Sequence, residues 1–275
     1  MANEESSVEK GTGYYDTLYG TFAEDIQAAV RADAFGEEIG QNSWLTADEH
    51  RGFFELLGLN PSTNVLDVAS GSGGPALFMA RTTGCQVTGL ELHQAAVDEA
   101  NASAERASLV ERVRFVQGDA RERLPFDDAT FEAVTCIDSM NHLYDRQQVL
   151  DEWHRVVRPG GRILFTDPIT VTGLLRRDEV MTRSAGMGEF VFTPPGLDEV
   201  LIRAAGFTDV TIHDHTDNMA QVATNWAAAR QRRAADLERI EGAEASASLL
   251  KFLDVVALLA RERRLSRLVY VAHRP

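Results

Sequence analysis

The chain contains very little cysteine and lysine. Only Cys85 and Cys136 occur among its 275 residues, and each falls in or beside an apolar segment that predicts a buried strand. Two such thiols exclude a disulfide framework and a cysteine-based zinc site, so we expect both to be reduced and buried. Lysine is confined to Lys10 and Lys251, and arginine supplies the remaining positive charge.

The sequence also lacks an apolar run long enough to span a bilayer. The longest run, Phe252–Ala260, is interrupted by Asp254 and is too short to cross a membrane as a helix. A signal peptide has a basic region followed by an apolar stretch, and the first residues show neither. We therefore expect a cytoplasmic protein with no membrane partner.

Basic charge is scarce relative to acidic charge. The chain carries 27 lysine and arginine residues against 42 aspartate and glutamate residues, a formal net charge of −15. Such a surface repels a phosphate backbone, so nucleic acid is not an expected partner. His213 and His215 alternate near a strand end without a third ligand at a recognisable spacing, so no metal site is predicted. A homodimer is left open.

The segment Val65–Ala80, VLDVASGSGGPALFMA, is the most informative part of the sequence. It predicts a buried strand, a glycine-rich turn and the start of a helix. Its glycines let the backbone turn tightly and approach a ligand closely. Glu91 closes the next predicted strand and completes a β-α-β unit typical of nucleoside binding. The turn is not G-x-G-x-x-G, so by itself it leaves nicotinamide and other adenosine ligands open.

Strand patterns separated by helix-length spacers predict one α/β domain. This alternation is typical of a parallel sheet with right-handed crossovers. The predicted strands cover about residues 64–69, 86–91, 113–117, 131–137, 161–167 and 208–213, with helices near 74–82, 93–107 and 145–157. Residues 169–193 are predicted to be irregular, and two helical patterns, Met219–Glu241 and Ala245–Arg263, follow the sixth strand.

Two further helices are predicted ahead of the sheet. Apolar residues recur at helical spacing from Tyr14 to about Asp33, which predicts an amphipathic helix available as a lid. The segment Thr46–Glu49 resembles a capping box, in which the hydroxyl and the carboxylate each satisfy a free backbone amide. Gly58 is expected to end the helix that this box begins.

Three blocks follow the glycine turn in a characteristic order. They are VQGDA at Val116–Ala120, LPFDDATF at Leu124–Phe131 and RVVRPGGRILFTD at Arg155–Asp167. In this order they resemble the successive motifs of class I S-adenosylmethionine-dependent methyltransferases, over about residues 45–210. The resemblance implies S-adenosylmethionine as cofactor, with S-adenosylhomocysteine as its product.

The resemblance also implies a fold. It is a Rossmann-like, mostly parallel seven-stranded sheet with helices on both faces and a helical cap, and a closing strand Arg267–His273 that runs antiparallel at the sheet edge. A single methyltransferase domain would span residues 1–275. Its parts would be a lid (1–45), a cofactor-binding core (46–168), two cap insertions (169–193 and 216–264) and the closing strand (265–275).

By the same resemblance, the cofactor residues can be assigned one by one. Asp67 and the backbone of Ala69–Gly73 would hold the amino acid end of the cofactor, and Glu91 would accept both ribose hydroxyls, since a carboxylate has two oxygens. Asp119 would accept from the adenine amine, with a strand-end turn cap as the alternative. The individual positions also predicted to contact the cofactor are Ala69, Gly71, Gly73, Leu92, Ala120 and Ile137.

Acceptor-side residues follow the fourth predicted strand. In this fold Asp138 and His142 would lie beside the methyl group, where His142 takes a proton or orients the acceptor. Alternatively, His142 only caps the following helix. Residues Phe35–Trp44 and His142 resemble phosphoethanolamine, glycine and sarcosine N-methyltransferases and natural-product sugar O-methyltransferases. Phosphoethanolamine methyltransferases use a lid tyrosine with this histidine.

Tyrosines and tryptophans supply the remaining candidates. Tyr14, Tyr15 and Tyr19 are the candidates for the lid tyrosine. The same three residues, with Trp44 and Trp226, could surround a methylated ammonium. Aromatic residues at helical spacing also form ordinary cores, so core packing stays open as the alternative.

The expected function is methyl transfer to a nitrogen or oxygen of a small metabolite. C-methylation of a natural-product precursor and non-catalytic cofactor binding remain alternatives. A nicotinamide oxidoreductase is disfavoured by the glycine pattern, and because Lys251 lies far from the predicted sheet and cannot form a tyrosine–lysine pair there.

Overall fold

A mixed seven-stranded sheet forms the centre of the protein. The computed structural model describes residues 24–184 and 191–275. The strands are β1 (Asn64–Val68), β2 (Gln86–Glu91), β3 (Val113–Gln117), β4 (Phe131–Cys136), β5 (Val157–Val171), β6 (Thr208–Asp214) and β7 (Leu265–His273). Their order is β3-β2-β1-β4-β5-β7-β6. Strands β1 to β5 pair in parallel, whereas β7 runs antiparallel to both of its neighbours.

The closing strand is antiparallel as predicted, but its predicted place at the sheet edge is wrong. Strand β7 lies between β5 and β6, and β6 forms the edge. The burial of the two strands gives the physical reason. Residues Leu265–His273 are almost entirely buried, whereas Thr208–Asp214 are mostly exposed. An apolar strand that is covered on both faces is most stable inside a sheet, and a polar one tolerates the edge.

Ten helices surround the sheet in the described part of the chain. They are α1 (Asp25–Phe35), α2 (Ala47–Leu57), α3 (Gly74–Thr83), α4 (Gln94–Arg106), α5 (Arg146–Val156), α6 (Arg177–Ser184), α7 (Leu197–Ala204), α8 (Thr216–Gln231), α9 (Ala234–Glu241) and α10 (Ala243–Arg261). The helices predicted between the strands are confirmed. Two predictions need correction. Three helices, not two, follow β6, because the predicted helix Met219–Glu241 is interrupted at Arg232 and Arg233, where Arg233 adopts a φ of −119° and separates α8 from α9. Residues 169–193 also contain the end of β5 and α6.

The sheet separates two apolar cores, and a third lies among helices. Val65 faces the core formed with α2, α3 and α4, whereas Leu66 and Val68 face the core formed with α5 and α7. The third core joins α1, α8 and α10 and includes Phe252, so the apolar stripe of α10 is packing. Cys85 and Cys136 are free and buried, as predicted.

Helix α2 begins and ends as predicted, but half of the predicted capping box is wrong. Thr46 Oγ1 accepts from Glu49 N at 3.3 Å, and Gly58 ends the helix in the left-handed conformation. The Glu49 carboxylate does not return to the start of the helix. Its Oε1 binds Arg267 and His215, and its Oε2 has no hydrogen-bond partner. A buried guanidinium is a stronger partner for a carboxylate than a backbone amide.

The segment between α1 and α2 crosses directly over the glycine turn. A Cβ on Gly74 would lie 2.2 Å from the Ile39 carbonyl oxygen and 2.6 Å from Gly40 Cα. Any side chain there would therefore push this segment off the start of α3.

Gly74→Ala should lower the free energy of unfolding by about 1–3 kcal/mol, because the added methyl group overpacks backbone against backbone. Denaturant unfolding of the purified variant would measure this change. Gly52→Ala is the matched control: a Cβ there meets nothing within 4 Å. Since alanine is the better helix former, that variant should be as stable as the parent or more so. Equal stability of Gly74→Ala and the parent would contradict the close contact.

Candidate cofactor and acceptor site

Four predicted groups of residues meet at the carboxyl edge of the sheet. They follow β1, β2, β3 and β4, which lie side by side in the order β3-β2-β1-β4. The direction of strand succession reverses between β1 and β4, and ligands of open α/β sheets bind at such a switch point. The structure therefore brings the predicted cofactor and acceptor residues together.

The glycine turn has a backbone that only glycine fits at its last position. Gly73 has a φ of 83° and stands at the N-cap of α3. A Cβ there would lie 2.5 Å from the Phe115 ring and 2.9 Å from Ala100 Cβ. Ala69, at the start of the turn, also has a positive φ of 56°. The result is a backbone cradle, with no Cβ at Gly71 or Gly73, in front of a helix N-terminus.

Glu91 is placed against this turn. Its carboxylate is 5% exposed. Oε2 accepts from Gly71 N at 2.9 Å, and Oε1 accepts from His93 N at 3.0 Å. Each oxygen keeps a further acceptor site, so the carboxylate can still bind two hydroxyl groups.

Asp67 lies below the turn on β1. It accepts from Thr135 Oγ1 at 2.8 Å. Burial raises the pKa of Asp67 to about 7, with the charge of Glu91 contributing and the Thr135 hydrogen bond opposing. A cationic group that binds beside it would favour the ionised carboxylate.

Asp119 is engaged by its neighbour Arg121. The guanidinium approaches to 2.6 Å, and Arg121 N also donates to the carboxylate at 2.9 Å. Burial opposes ionisation, but these hydrogen bonds outweigh it and lower the pKa of Asp119. Asp119 therefore caps the turn after β3, and its predicted contact with adenine stays a prediction. Leu92 is 41% exposed, whereas Ala120 is buried.

Asp138 begins the turn that follows Ile137 and β4. Its φ of 54° lies in the left-handed region. The carboxylate accepts three hydrogen bonds: from Arg267 Nε and Thr166 Oγ1 at 2.7 Å to Oδ1, and from Trp44 N at 2.9 Å to Oδ2. These donors fix the side chain.

His142 ends the same turn, in the short 3₁₀ helix Met140–His142. Burial lowers the pKa of His142 to about 4, and the positive charge of Arg183 makes a smaller contribution in the same direction. The imidazole is therefore neutral near pH 7. The Arg183 guanidinium is itself buried and lies 4.7 Å from the centre of the Phe252 ring.

The two predicted tryptophans pack against each other. The ring centres of Trp44 and Trp226 are 6.1 Å apart at a steep angle, and Trp44 stacks on Phe252 at 6.2 Å. Both belong to the third core. This packing is the alternative that the sequence left open, and contact with the acceptor stays a prediction. Tyr14, Tyr15 and Tyr19 lie outside the described residues.

Sequence reasoning missed four residues of the site: Glu49, Thr166, Arg183 and Arg267. Only Arg267 has a clear signal in the sequence. It directly precedes the apolar run Leu268–Ala272 of β7, and an arginine buried in a strand requires an acidic partner.

The described residues provide neither a metal site nor a membrane-spanning helix. No group of three or more histidine, cysteine, aspartate or glutamate side chains is arranged to hold a metal ion. None of the helices in residues 24–184 and 191–275 has the length and apolar character needed to span a membrane.

Comparisons with known proteins identify the family. Residues 66–165 match the model of a methyltransferase domain. The 27-O-demethylrifamycin SV methyltransferase of Amycolatopsis mediterranei is 32% identical over 72% of this chain and 73% of its own length. The sarcosine/dimethylglycine N-methyltransferase of Halorhodospira halochloris is 30% identical over 77% of this chain and 73% of its own length. The chain belongs to the S-adenosylmethionine-dependent methyltransferases of small molecules.

A solved structure shows the same fold. Phosphoethanolamine N-methyltransferase 2 of Haemonchus contortus, bound to phosphomonomethylethanolamine and S-adenosylhomocysteine, is 19% identical, with a TM-score of 0.80 over 95% of this chain and 60% of that one. The methyltransferase prediction is thus confirmed: an enzyme that uses S-adenosylmethionine to methylate nitrogen or oxygen of a small molecule. The glycine cradle and Glu91 fit this cofactor.

Proposed function

We propose that this methyltransferase acts on a hydroxyl oxygen of a small natural-product metabolite, with His142 accepting the hydroxyl proton. The observation that carries this proposal is the neutral, partly buried imidazole at the end of the turn after β4. The rifamycin O-methyltransferase relative supports the same acceptor class.

The protonation chemistry favours oxygen over nitrogen. An amine must lose its proton before it can attack, and an aliphatic ammonium has a pKa of about 10. An imidazole with a pKa of about 4 is far too weak a base to remove that proton. A hydroxyl attacks with its proton in place, and that proton becomes strongly acidic as the new bond forms, so a weak base suffices.

The cofactor residues are proposed in the roles that the family implies. Glu91 binds the two ribose hydroxyls, Asp67 and the turn Ala69–Gly73 bind the amino acid end, and Asp119 binds the adenine amine. S-adenosylmethionine supplies an electrophilic methyl group when bound. The protein's task is then to align the acceptor oxygen with the methyl carbon and to exclude water.

The helices outside the sheet are proposed as a cap over this site. Residues 24–45 support this, because Trp44 donates to Asp138 and Gly40 packs on Gly74. Residues 216–264 supply the rest of the layer. We also propose that the enzyme is cytoplasmic. Because the net charge of −15 disfavours nucleic acid, we propose that its acceptor is a free small molecule.

An N-methyltransferase is the second candidate, favoured by the Halorhodospira halochloris relative. An acceptor screen with labelled methyl donor separates the two. Hydroxylated polyketides and phenols are compared with sarcosine and dimethylglycine at pH 7, and the product bond is identified by mass spectrometry. We expect labelled methyl ethers. Methylated amines as the main products would favour the second candidate.

A further inference from the structure

The buried side chain of Arg267 joins three parts of the molecule beside the site. Its exposed fraction is 0%. Nε donates to Asp138 Oδ1 at 2.7 Å, and Nη1 donates to Glu49 Oε1 at 2.6 Å. Arg267 lies on β7, Asp138 follows β4, and Glu49 lies in the first turn of α2. One guanidinium therefore sets the spacing between the turn 138–142 and the start of α2.

The backbone at Asp138 depends on these bonds. A φ of 54° favours glycine, and aspartate adopts it here while its carboxylate is held from three directions. Strained conformations persist only where the surrounding structure fixes them. Asp138 opens the turn that His142 closes, so a rotation at Asp138 displaces the imidazole.

The second carboxylate keeps the guanidinium in place. Glu49 is also contacted by His215, at the start of α8. A planar guanidinium can bridge two carboxylates at fixed angles, whereas an ammonium is a point charge that cannot keep both contacts at the same geometry. The contact with both carboxylates therefore depends on the planar shape of arginine as well as on its charge.

We propose that Arg267 is a positioning residue for methyl transfer: by bridging Asp138 and Glu49 it fixes the turn 138–142, and with it His142, relative to the methyl group of the cofactor. This inference rests on methyl transfer at the proposed site but not on the identity of the acceptor.

Steady-state kinetics of Arg267→Lys and Arg267→Met would test the proposal, with calorimetry of S-adenosylmethionine binding alongside. We expect kcat to fall about 10-fold in the lysine variant and about 100-fold in the methionine variant, with cofactor affinity within about threefold of the parent. Adding Asp138→Asn to Arg267→Met should cost little more, because residues that act as a unit are not additive.

Arg155→Met is the matched control. Arg155 also binds two carboxylates, Glu152 at 2.6 Å and Asp128 at 2.9 Å, but it lies at the far end of α5. The kcat of the Arg155→Met variant should stay within about twofold of the parent value. A merely structural role for Arg267 predicts a loss of stability in Arg267→Met while the kcat of the folded variant stays at the parent value.

Two results would overturn the inference: kcat of Arg267→Met within about threefold of the parent, or losses that multiply fully when Asp138→Asn is added. If circular dichroism shows that the methionine variant does not fold, Arg267→Lys carries the test, and an unchanged kcat overturns the proposal. Each variant is assayed with hydroxyl and amine acceptors. A parent enzyme that methylates only amines refutes the oxygen assignment alone, and the arginine variants are then compared on amines.

Discussion

His142→Ala should lower turnover by roughly 10²- to 10⁴-fold, the usual contribution of a positioned general base. Cofactor affinity should change little, because His142 is proposed to contact the acceptor and not the cofactor. Single-turnover methylation and calorimetry would measure the two quantities separately. His154→Ala, which removes an imidazole packed on Phe207, is the control and should keep parental turnover.

The pH dependence follows from the depressed pKa of His142. A protonated imidazole cannot accept a proton, so activity is lost as the pH falls through the folded pKa of about 4. At saturating S-adenosylmethionine, whose cationic amino group favours ionised Asp67, the rate should therefore be level across the range around the ordinary histidine pKa of about 6.5, where an exposed imidazole would titrate. Turnover of His142→Ala within a few-fold of the parent would show that His142 only caps the turn.

Glu91→Ala should weaken S-adenosylmethionine binding by at least about tenfold. Each hydroxyl bond to a carboxylate contributes about 1.5–3 kcal/mol when desolvated. The same substitution releases the amides of Gly71 and His93, so the turn also loosens. Calorimetric titration with S-adenosylmethionine and with S-adenosylhomocysteine would measure the loss, and both ligands should lose affinity equally because they share the ribose.

Two further variants sharpen this experiment. Glu91→Gln keeps the shape and one oxygen acceptor but removes the charge, so its affinity should lie between those of the parent and Glu91→Ala. Glu111→Ala removes an exposed carboxylate just before β3 and should bind the cofactor as the parent does. An unchanged affinity of Glu91→Ala would remove Glu91 from the cofactor site.

Much of the fold could be predicted from the sequence because its signals are local. The strand, glycine turn and helix of Val65–Ala80 lie within one short segment, and the four predicted strands that carry the cofactor residues are confirmed. The end of α2 was equally clear, since Gly58 adopts the left-handed conformation that ends helices. The apolar sequence of β7 favours an interior position, but the strands that lie beside it depend on how the rest of the chain packs against the sheet.

The sequence by itself determined the family, the cofactor and the carboxyl edge where Glu91, Asp138 and His142 meet, because each of these follows from short motifs at the ends of successive strands. Only the tertiary structure decided how the site is held. Arg267 is separated from Asp138 by 129 positions and from Glu49 by 218, and no pattern within one segment relates them. The tertiary structure also decided that the Glu49 carboxylate binds Arg267 instead of completing a capping box, because a buried guanidinium must be matched by carboxylates.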